Sequence, residues 1–279
     1  MRRQCVDNYS GPTTLGIDVS KYQGNIKWDK LRLAVKFVIS RTGDGRSTDS
    51  KFQTNWKETG KLGLIRGTYH YFRADRDGKT QAEKVIDQIE SAGGLKETDL
   101  PPALDLEGGA IKNLPGGVFT GQAAELPIDL LVEECLEFLE VIENHYDVTP
   151  IVYTGQAFHW WLSQGRSDLA EKFAKYPLWL PSYSSCALMP VNRAGKGFPW
   201  KQWSIWQYSS KGKVAGIKGD VDVNKFRGTE DQLKEFVKSL RHQKTQLNNE
   251  KIRQLLREGE KLTAELHDVF EKLRIELFV

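Results

Sequence analysis

Short apolar runs alternate along this chain with longer segments in which apolar residues recur every three or four positions. The short runs are bounded by Gly, Pro or polar clusters, the signature of strands. They cover 15–20 (LGIDVS), 35–43 (VKFVISRTG), 64–72 (LIRGTYHYF), 101–107 (PPALDLE), 149–155 (TPIVYTG), 177–183 (PLWLPSY), 204–210 (SIWQYSS) and 219–226 (GDVDVNKF). The longer segments predict helices over 28–34, 51–63, 79–94, 127–146 and 157–164. Gly63 and the pair Gly93–Gly94 stand where helix C-caps belong, and Pro127 near a helix start. Eight strands, the first five each followed by a helix, predict an α/β fold. Alternation of strand and helix implies parallel pairing, and eight strands imply closure. The expected architecture is a modified (β/α)-barrel of eight strands, (β/α)5(β)3, with an α-helical C-terminal extension. In such barrels the reactive groups lie at the C-terminal ends of the strands.

That rule picks out acids. In the stretch from Pro101 to Ala110 (PPALDLEGGA), Asp105 and Glu107 stand two residues apart in an otherwise apolar run. On a strand they share one face with Ala103, while Leu104 and Leu106 take the other. Two like charges so close are costly unless water, partners or a proton relieves them. The plain alternative is a strand end facing solvent or an arginine. Asp18 falls near the end of the first strand. Asp220 and Asp222 fall in the eighth, next to the first around a closed ring. Tyr69, Tyr71, Tyr153, Trp179, Tyr183, Trp206 and Tyr208 lie in the strands between. Carboxylates and aromatics converging on one mouth suit a carbohydrate. Rings stack on the apolar faces of sugars, and acids protonate a leaving oxygen and stabilise charge at the anomeric carbon. Ordinary packing is the alternative for each aromatic singly.

Composition narrows the field. The chain has 279 residues, 39% hydrophobic, with eight Trp and twelve Phe, enough for a large core. Its net charge is +3, from 40 basic and 37 acidic residues, far from a nucleic-acid-binding signature. Mean hydropathy is −0.51, and no run approaches a membrane span. Cys5, Cys135 and Cys186 are scattered, which suggests isolated thiols rather than a disulfide framework or a zinc site. The five histidines have no ligand spacing, and no GxSxG, P-loop or HExxH occurs. No metal and no cofactor is expected. His70, between two tyrosines, reads as structural. The N-terminus lacks the apolar stretch of a signal peptide. The expectation is a protein made in the cytoplasm and delivered to its target by another route.

Six segments in sequence order carry a resemblance: GIDVSKYQGNIKW (16–28), RGTYHYFR (66–73), PALDLE (102–107), PIVYTG (150–155), PLWLPSY (177–183) and the run from WQYSS to GIKGDVDVNKF (206–226). Together they resemble the family 25 glycoside hydrolases, the Chalaropsis-type lysozymes, over about residues 15–228. The resemblance implies an N-acetylmuramidase that cuts the β-1,4 bond after N-acetylmuramic acid in bacterial peptidoglycan. It places the active-site acids at Asp18, Asp105, Glu107 and Asp222, with Glu107 as general acid. Asp105 would be a nucleophile or a residue orienting the substrate's own 2-acetamido group, with retention of configuration. Asp18 and Asp222 would hold the hydrogen-bonding frame. Tyr69, Tyr71, Tyr153, Trp179, Tyr183, Trp206 and Gln207 are the expected substrate-binding residues. The pKa of Glu107 should be raised by neighbouring negative charge and partial burial. Three departures stand out: Lys27 where the family commonly has Asp, WLPSY for a more usual W-x-A-x-Y, and a long segment over 108–126.

From residue 230 the composition changes. Residues 230–279 contain no proline, ten basic and ten acidic residues, and leucines at helical spacing. The expected organisation is an N-terminal extension over 1–14, a catalytic barrel over 15–229 and a helical extension over 230–279. That extension would pack on the barrel or on itself, or mediate a homo-oligomer through a coiled coil. A non-cleaving glycan-binding barrel and a phage structural component remain as alternatives to the enzyme.

Overall fold

A computed structural model of the chain describes residues 3–5, 9–73, 77–107, 128–155, 167–184, 187–190, 199–241, 254–263 and 265. The segment 108–126 and the helix expected over 157–164 lie outside the described residues.

The strands are β1 (Arg3–Cys5), β2 (Thr13–Val19), β3 (Phe37–Asp44), β4 (Ser47–Thr48), β5 (Ile65–Tyr71), β6 (Ala103–Leu106), β7 (Ile151–Thr154), β8 (Leu178–Pro181), β9 (Leu188–Pro190), β10 (Ile205–Gly212) and β11 (Val221–Arg227). Helices α1 (Trp28–Leu31), α2 (Phe52–Lys61), α3 (Gly78–Ser91), α4 (Ile128–Tyr146) and α5 (Ser167–Glu171) alternate with them. Eight strands close a ring in the order β2-β3-β5-β6-β7-β8-β10-β11, with β11 returning to β2. The short β4 extends the edge at β3, and β1 pairs separately with β9.

Neighbours from β2 round to β10 are parallel, as strand–helix alternation requires. The exception is β11, antiparallel to both β10 and β2. Its cause is the connection 213–220, too short for a crossover, so β10 and β11 form a hairpin. The consequence reaches the site. The N-terminal end of β11, carrying Asp222, lies at the rim where the parallel strands end.

Period-two alternation divides the strand residues between two environments. Leu104, Leu106, Val152, Leu178 and Leu180 face out and join α3 and α4 in one core that includes Val85, Ile89, Phe138 and Ile142. Ile17, Val19, Val38, Val221 and Val223 face out into a second, with Leu31 of α1. Phe37, Ile39, Ala103, Ile151, Tyr153, Trp179, Ile205 and Phe226 fill the inside of the ring. Gly16 is required here, because a Cβ at that position would meet the Phe37 ring at 2.3 Å.

The helix over 230–241 closes the floor of the barrel. Its Leu233 and Val237 belong to the interior cluster, and the rings of Phe236 and Phe226 lie 5.3 Å apart. The Thr149 N–H donates to the Leu240 carbonyl at 3.1 Å. The compositional break at 230 is therefore not a break in the hydrophobic core. Further on, Leu255, Leu256 and Leu262 of the helix over 254–263 are exposed. Among the described residues no helix is long and apolar enough to cross a membrane.

Candidate active site

The upper half of the barrel interior is polar. Asp18 on β2 and Asp222 on β11 are register partners across an antiparallel pair and share a side-chain hydrogen bond. Asp18 is buried, and its Oδ2 accepts from Gln207 Nε2 and Asn224 Nδ2, each at 2.8 Å. Asn224 Oδ1 in turn accepts the Trp179 indole N–H at 2.8 Å. Gln207 Oε1 accepts the hydroxyls of Tyr153 at 2.8 Å and Tyr183 at 2.7 Å. One chain of hydrogen bonds thus links Trp179, Asn224, Asp18, Gln207 and both tyrosines. Every member except Tyr183, which follows β8, is an inward-facing residue of β2, β7, β8, β10 or β11.

The second acid pair rises from β6. Asp105 lies in register between Tyr71 on β5 and Tyr153 on β7. It is buried and shares a side-chain hydrogen bond with Glu107, which stands half-buried just past the strand end. The other Asp105 oxygen, Oδ1, is buried without a hydrogen-bond partner.

All four acids are held above the ordinary carboxylate range, and in all four burial is the largest cause. Asp18 is pushed up further by the charge of Asp222, against the pull of its two amide donors. Asp105 is pushed up further by Glu107 and Asp18, while the cation of Arg41 draws it down. Glu107 is pushed up by burial and then by Asp222, against its bond with Asp105 and the charge of Arg73. The sequence expectation named neighbouring negative charge and partial burial together, and burial is the larger of the two. Desolvation leads, and Asp105 acts in the opposite direction because it shares a hydrogen bond with Glu107. In each couple burial favours the protonated form relative to water.

These shifts set a pH dependence of stability. An acid with a raised folded-state pKa contributes its full stability below the unfolded pKa, and that contribution is lost as pH rises through the folded value. Wild-type Tm is therefore expected to fall as pH rises above about 4, the ordinary carboxylate value. Asp18→Asn should flatten that slope and melt higher than wild type at the alkaline end, which a melting series by circular dichroism checks. Exposed Asp220, Asp77 and Glu230, whose pKa values are lowered by hydrogen bonds at the surface, add little in the opposite sense.

The structure brings together Asp18, Asp105, Glu107, Asp222, Tyr69, Tyr71, Tyr153, Tyr183 and Gln207. Trp179 is inside the barrel but only 1% exposed, packed edge-on against Tyr69 and Tyr153, so it supports the rim from below. Trp206 does not join the group. Since Gln207 faces in, Trp206 faces out, where it packs against Trp203 and Tyr208 and donates to the Ser182 carbonyl. Asp220 is exposed and paired with Lys213 at 2.5 Å, which leaves Asp222 as the acid of the mouth. His70 faces out onto Phe138, its pKa lowered to about 4 by burial. Lys27 stands at the N-cap of α1 with no capping side-chain bond.

Sequence reasoning missed Asn224, Arg41 and Arg73. Asn224 was signalled by its spacing, two residues beyond Asp222 and so on the same face. Arg41 follows the inward Phe37 and Ile39 in alternation, and its guanidinium is held by Asp49 at 2.8 Å. Arg73 pairs with Asp44 and lies 4.7 Å from the centre of the Tyr71 ring. Among the described residues, the grouping of acids with metal-like spacing is Asp77, Glu134 and Glu137. It sits where α3 begins, where Glu134 Oε2 accepts the Gly78 N–H and Asp77 Oδ1 accepts the Thr80 N–H.

The closed barrel gathers two hydrogen-bonded carboxyl pairs and tyrosines at one rim, groups that suit an enzyme acting on a glycan. The comparisons agree. Residues 17–217 match the model of glycosyl hydrolases family 25. Lysozyme M1 of Streptomyces globisporus is 31% identical over 229 residues, 78% of this chain and 69% of that protein. The Escherichia coli protein YegX is 30% identical over 237 residues, 82% of this chain and 75% of its own. Among solved structures, the bacterial lysozyme of Streptomyces coelicolor aligns with a TM-score of 0.66 at 28% identity, covering 84% of this chain and all of that one. The muramidase of Trichobolus zukalii aligns with a TM-score of 0.64 at 29% identity, covering 81% and 99%. The chain belongs to family 25 of the glycosyl hydrolases, and it is a glycoside hydrolase.

Proposed function

We propose that the protein is a lysozyme, a 1,4-β-N-acetylmuramidase that cleaves bacterial peptidoglycan between N-acetylmuramic acid and N-acetylglucosamine and acts at the cell wall. The observation that carries the mechanism is the hydrogen-bonded Asp105–Glu107 couple, both acids raised by burial, with one buried Asp105 oxygen left without a partner. In this mechanism the couple shares one proton. A buried carboxylate oxygen without a donor is costly. The 2-acetamido N–H of the sugar is a donor of the right kind. When it binds Asp105, it stabilises the charge on that carboxylate, and the shared proton moves to Glu107.

Glu107 then protonates the glycosidic oxygen as the bond to the anomeric carbon breaks. The acetamido oxygen attacks that carbon from the opposite face, and Asp105 takes up the growing positive charge at the nitrogen. Glu107, now ionised, deprotonates the water that opens the cyclic intermediate. Two inversions give retention. This substrate-assisted route is one of the exceptions to the two-carboxylate scheme, so the short spacing of Asp105 and Glu107 is not an obstacle. Asp18 and Asp222 hold Gln207, Asn224 and Tyr183 in place. The names of the relatives, lysozyme and muramidase, support the substrate assignment. Proton NMR of a fresh digest should show the β-anomer of the new reducing end first. Appearance of the α-anomer first would rule out this route.

A further inference from the structure

The loop that leaves β2 directly above Asp18 presents an unusual side chain. Tyr22 is 76% exposed, yet the turn that carries it is held firmly. Lys21–Gln23 forms a single 3-10 turn with a reciprocal cap: the Ser20 side chain accepts from the turn, and Gln23 Oε1 accepts the Ser20 N–H at 2.8 Å. The Lys21 N–H donates to buried Asp49 at 3.0 Å. On the other side, Gln23 Nε2 reaches the carbonyl of Asp220, two residues before Asp222. The turn is thereby tied to β2, to the segment before α2 and to the start of β11.

The ring has a mount as well. Asp49 holds Arg41 through Nε at 2.9 Å and Nη2 at 2.8 Å, and the guanidinium carbon lies 5.0 Å from the centre of the Tyr22 ring. Lys21 Nζ lies 5.5 Å from the same centre. A single exposed aromatic ordinarily requires no account. A fixed one, three residues past the strand that carries an active-site acid and supported by a buried ion pair, does. Its neighbours Lys21, Gln23 and Asn25 are hydrogen-bonding groups rather than apolar ones, which fits a sugar, with its C–H face and hydroxyl edge, better than an apolar protein surface. The rim has a counterpart in Tyr183, 58% exposed, which follows β8, three strands away round the ring. The acids of β2 and β11 lie between the two.

We infer that Tyr22 is the stacking platform of a further glycan subsite, so that the glycan chain runs across the acids from Tyr183 to Tyr22. This rests on the peptidoglycan reading and adds to it an outer subsite selective for long chains. Arg41 and Asp49 are positioning residues, acting through the ring.

The test uses the full-length chain carrying Glu107→Gln, so that ligand is bound without being cut. Binding is measured by titration calorimetry with long peptide-free glycan strands and with the N-acetylglucosaminyl–N-acetylmuramic acid disaccharide. Adding Tyr22→Ala should weaken binding of the strands about tenfold, the scale of one lost aromatic stack, and leave the disaccharide unaffected. Tyr22→Phe and Tyr22→Trp should restore strand binding. In the active protein, Tyr22→Ala should raise KM on long strands and leave kcat unchanged. Equal strand affinity with and without Tyr22→Ala, in a parent that binds strands, overturns this inference alone. A loss that Phe and Trp fail to restore also overturns it. A parent that binds no glycan at all overturns the peptidoglycan reading, and the subsite with it.

Discussion

Glu107→Gln is expected to lower peptidoglycan cleavage by about a hundred- to ten-thousandfold, the range attributed to a positioned general acid. The amide has the shape of the acid and donates hydrogen bonds, but it cannot release a proton to a leaving oxygen. Glu107 lies at the end of β6, half-buried rather than in the packed core, and desolvation is the main cause of its raised pKa. Replacing it with a neutral group removes the desolvation cost of charge, so the variant should melt at or above the wild-type temperature. Loss of activity with retained stability separates a chemical role from a folding one. The substitution also removes the Glu107 charge from beside Asp105, whose pKa should fall but stay raised, because burial is its largest cause. Clearing of a peptidoglycan suspension, followed beside the melting temperature, reads both effects.

The largest stability effect is expected far from the acids. Arg66 on β5 faces out at the start of the strand and grips Asp99 with two bonds, Nε to Oδ1 at 2.7 Å and Nη2 to Oδ2 at 2.8 Å. The two side chains are 7% and 4% exposed, and the guanidinium lies 4.0 Å from the centre of the Trp56 ring. Arg66→Met keeps the packing stem but leaves Asp99 charged and buried, with the Lys96 N–H as its remaining donor. Breaking one side of a buried pair costs roughly 3–5 kcal/mol. At about 2–4 °C per kcal/mol in a chain of this size, Tm should fall by ~10 °C. The pair itself is a weaker contributor than its breakage suggests, because removing both charges removes the desolvation cost too. Adding Asp99→Leu to Arg66→Met should therefore recover most of the loss. Michaelis constants should be unchanged in all these variants, since the pair lies outside the ring. A fall of less than about 1 kcal/mol in the single variant would place it among exposed pairs of little worth.

Much of this architecture was legible in the sequence because strands obey a period of two. That rule put Asp105 and Glu107 on one face and Leu104 and Leu106 on the other, as the barrel requires. Applied consistently, it also puts Asn224 beside Asp222 and turns Trp206 outward beside Gln207. Grouping the aromatics by type rather than by face is what misplaced Trp206. The antiparallel direction of β11 was implicit in a connection too short to hold a crossover. The Arg41–Asp49 mount was not legible, since its two residues meet through the turn at β4 and mean nothing until that turn is built. Nor was the extent of burial behind the raised acids. Charges can be counted in a sequence, but the degree of desolvation depends on how closely Trp179 and the tyrosines pack beneath the rim. The floor helix was legible in part, since its apolar spacing is helical and packing on the barrel is one of the readings that spacing leaves open. Its charge-rich composition resembles an appendage, while its apolar stripe of Leu233, Val237 and Leu240 is core.

The central claim is that a proton kept between Asp105 and Glu107 is delivered to a glycosidic bond of peptidoglycan. Mass spectrometry of the fragments released from purified peptidoglycan by wild type and Glu107→Gln tests it most directly. The account predicts fragments ending in reducing N-acetylmuramic acid from wild type and none above background from the variant. Fragments ending in reducing N-acetylglucosamine, or equal release by both proteins, would contradict it.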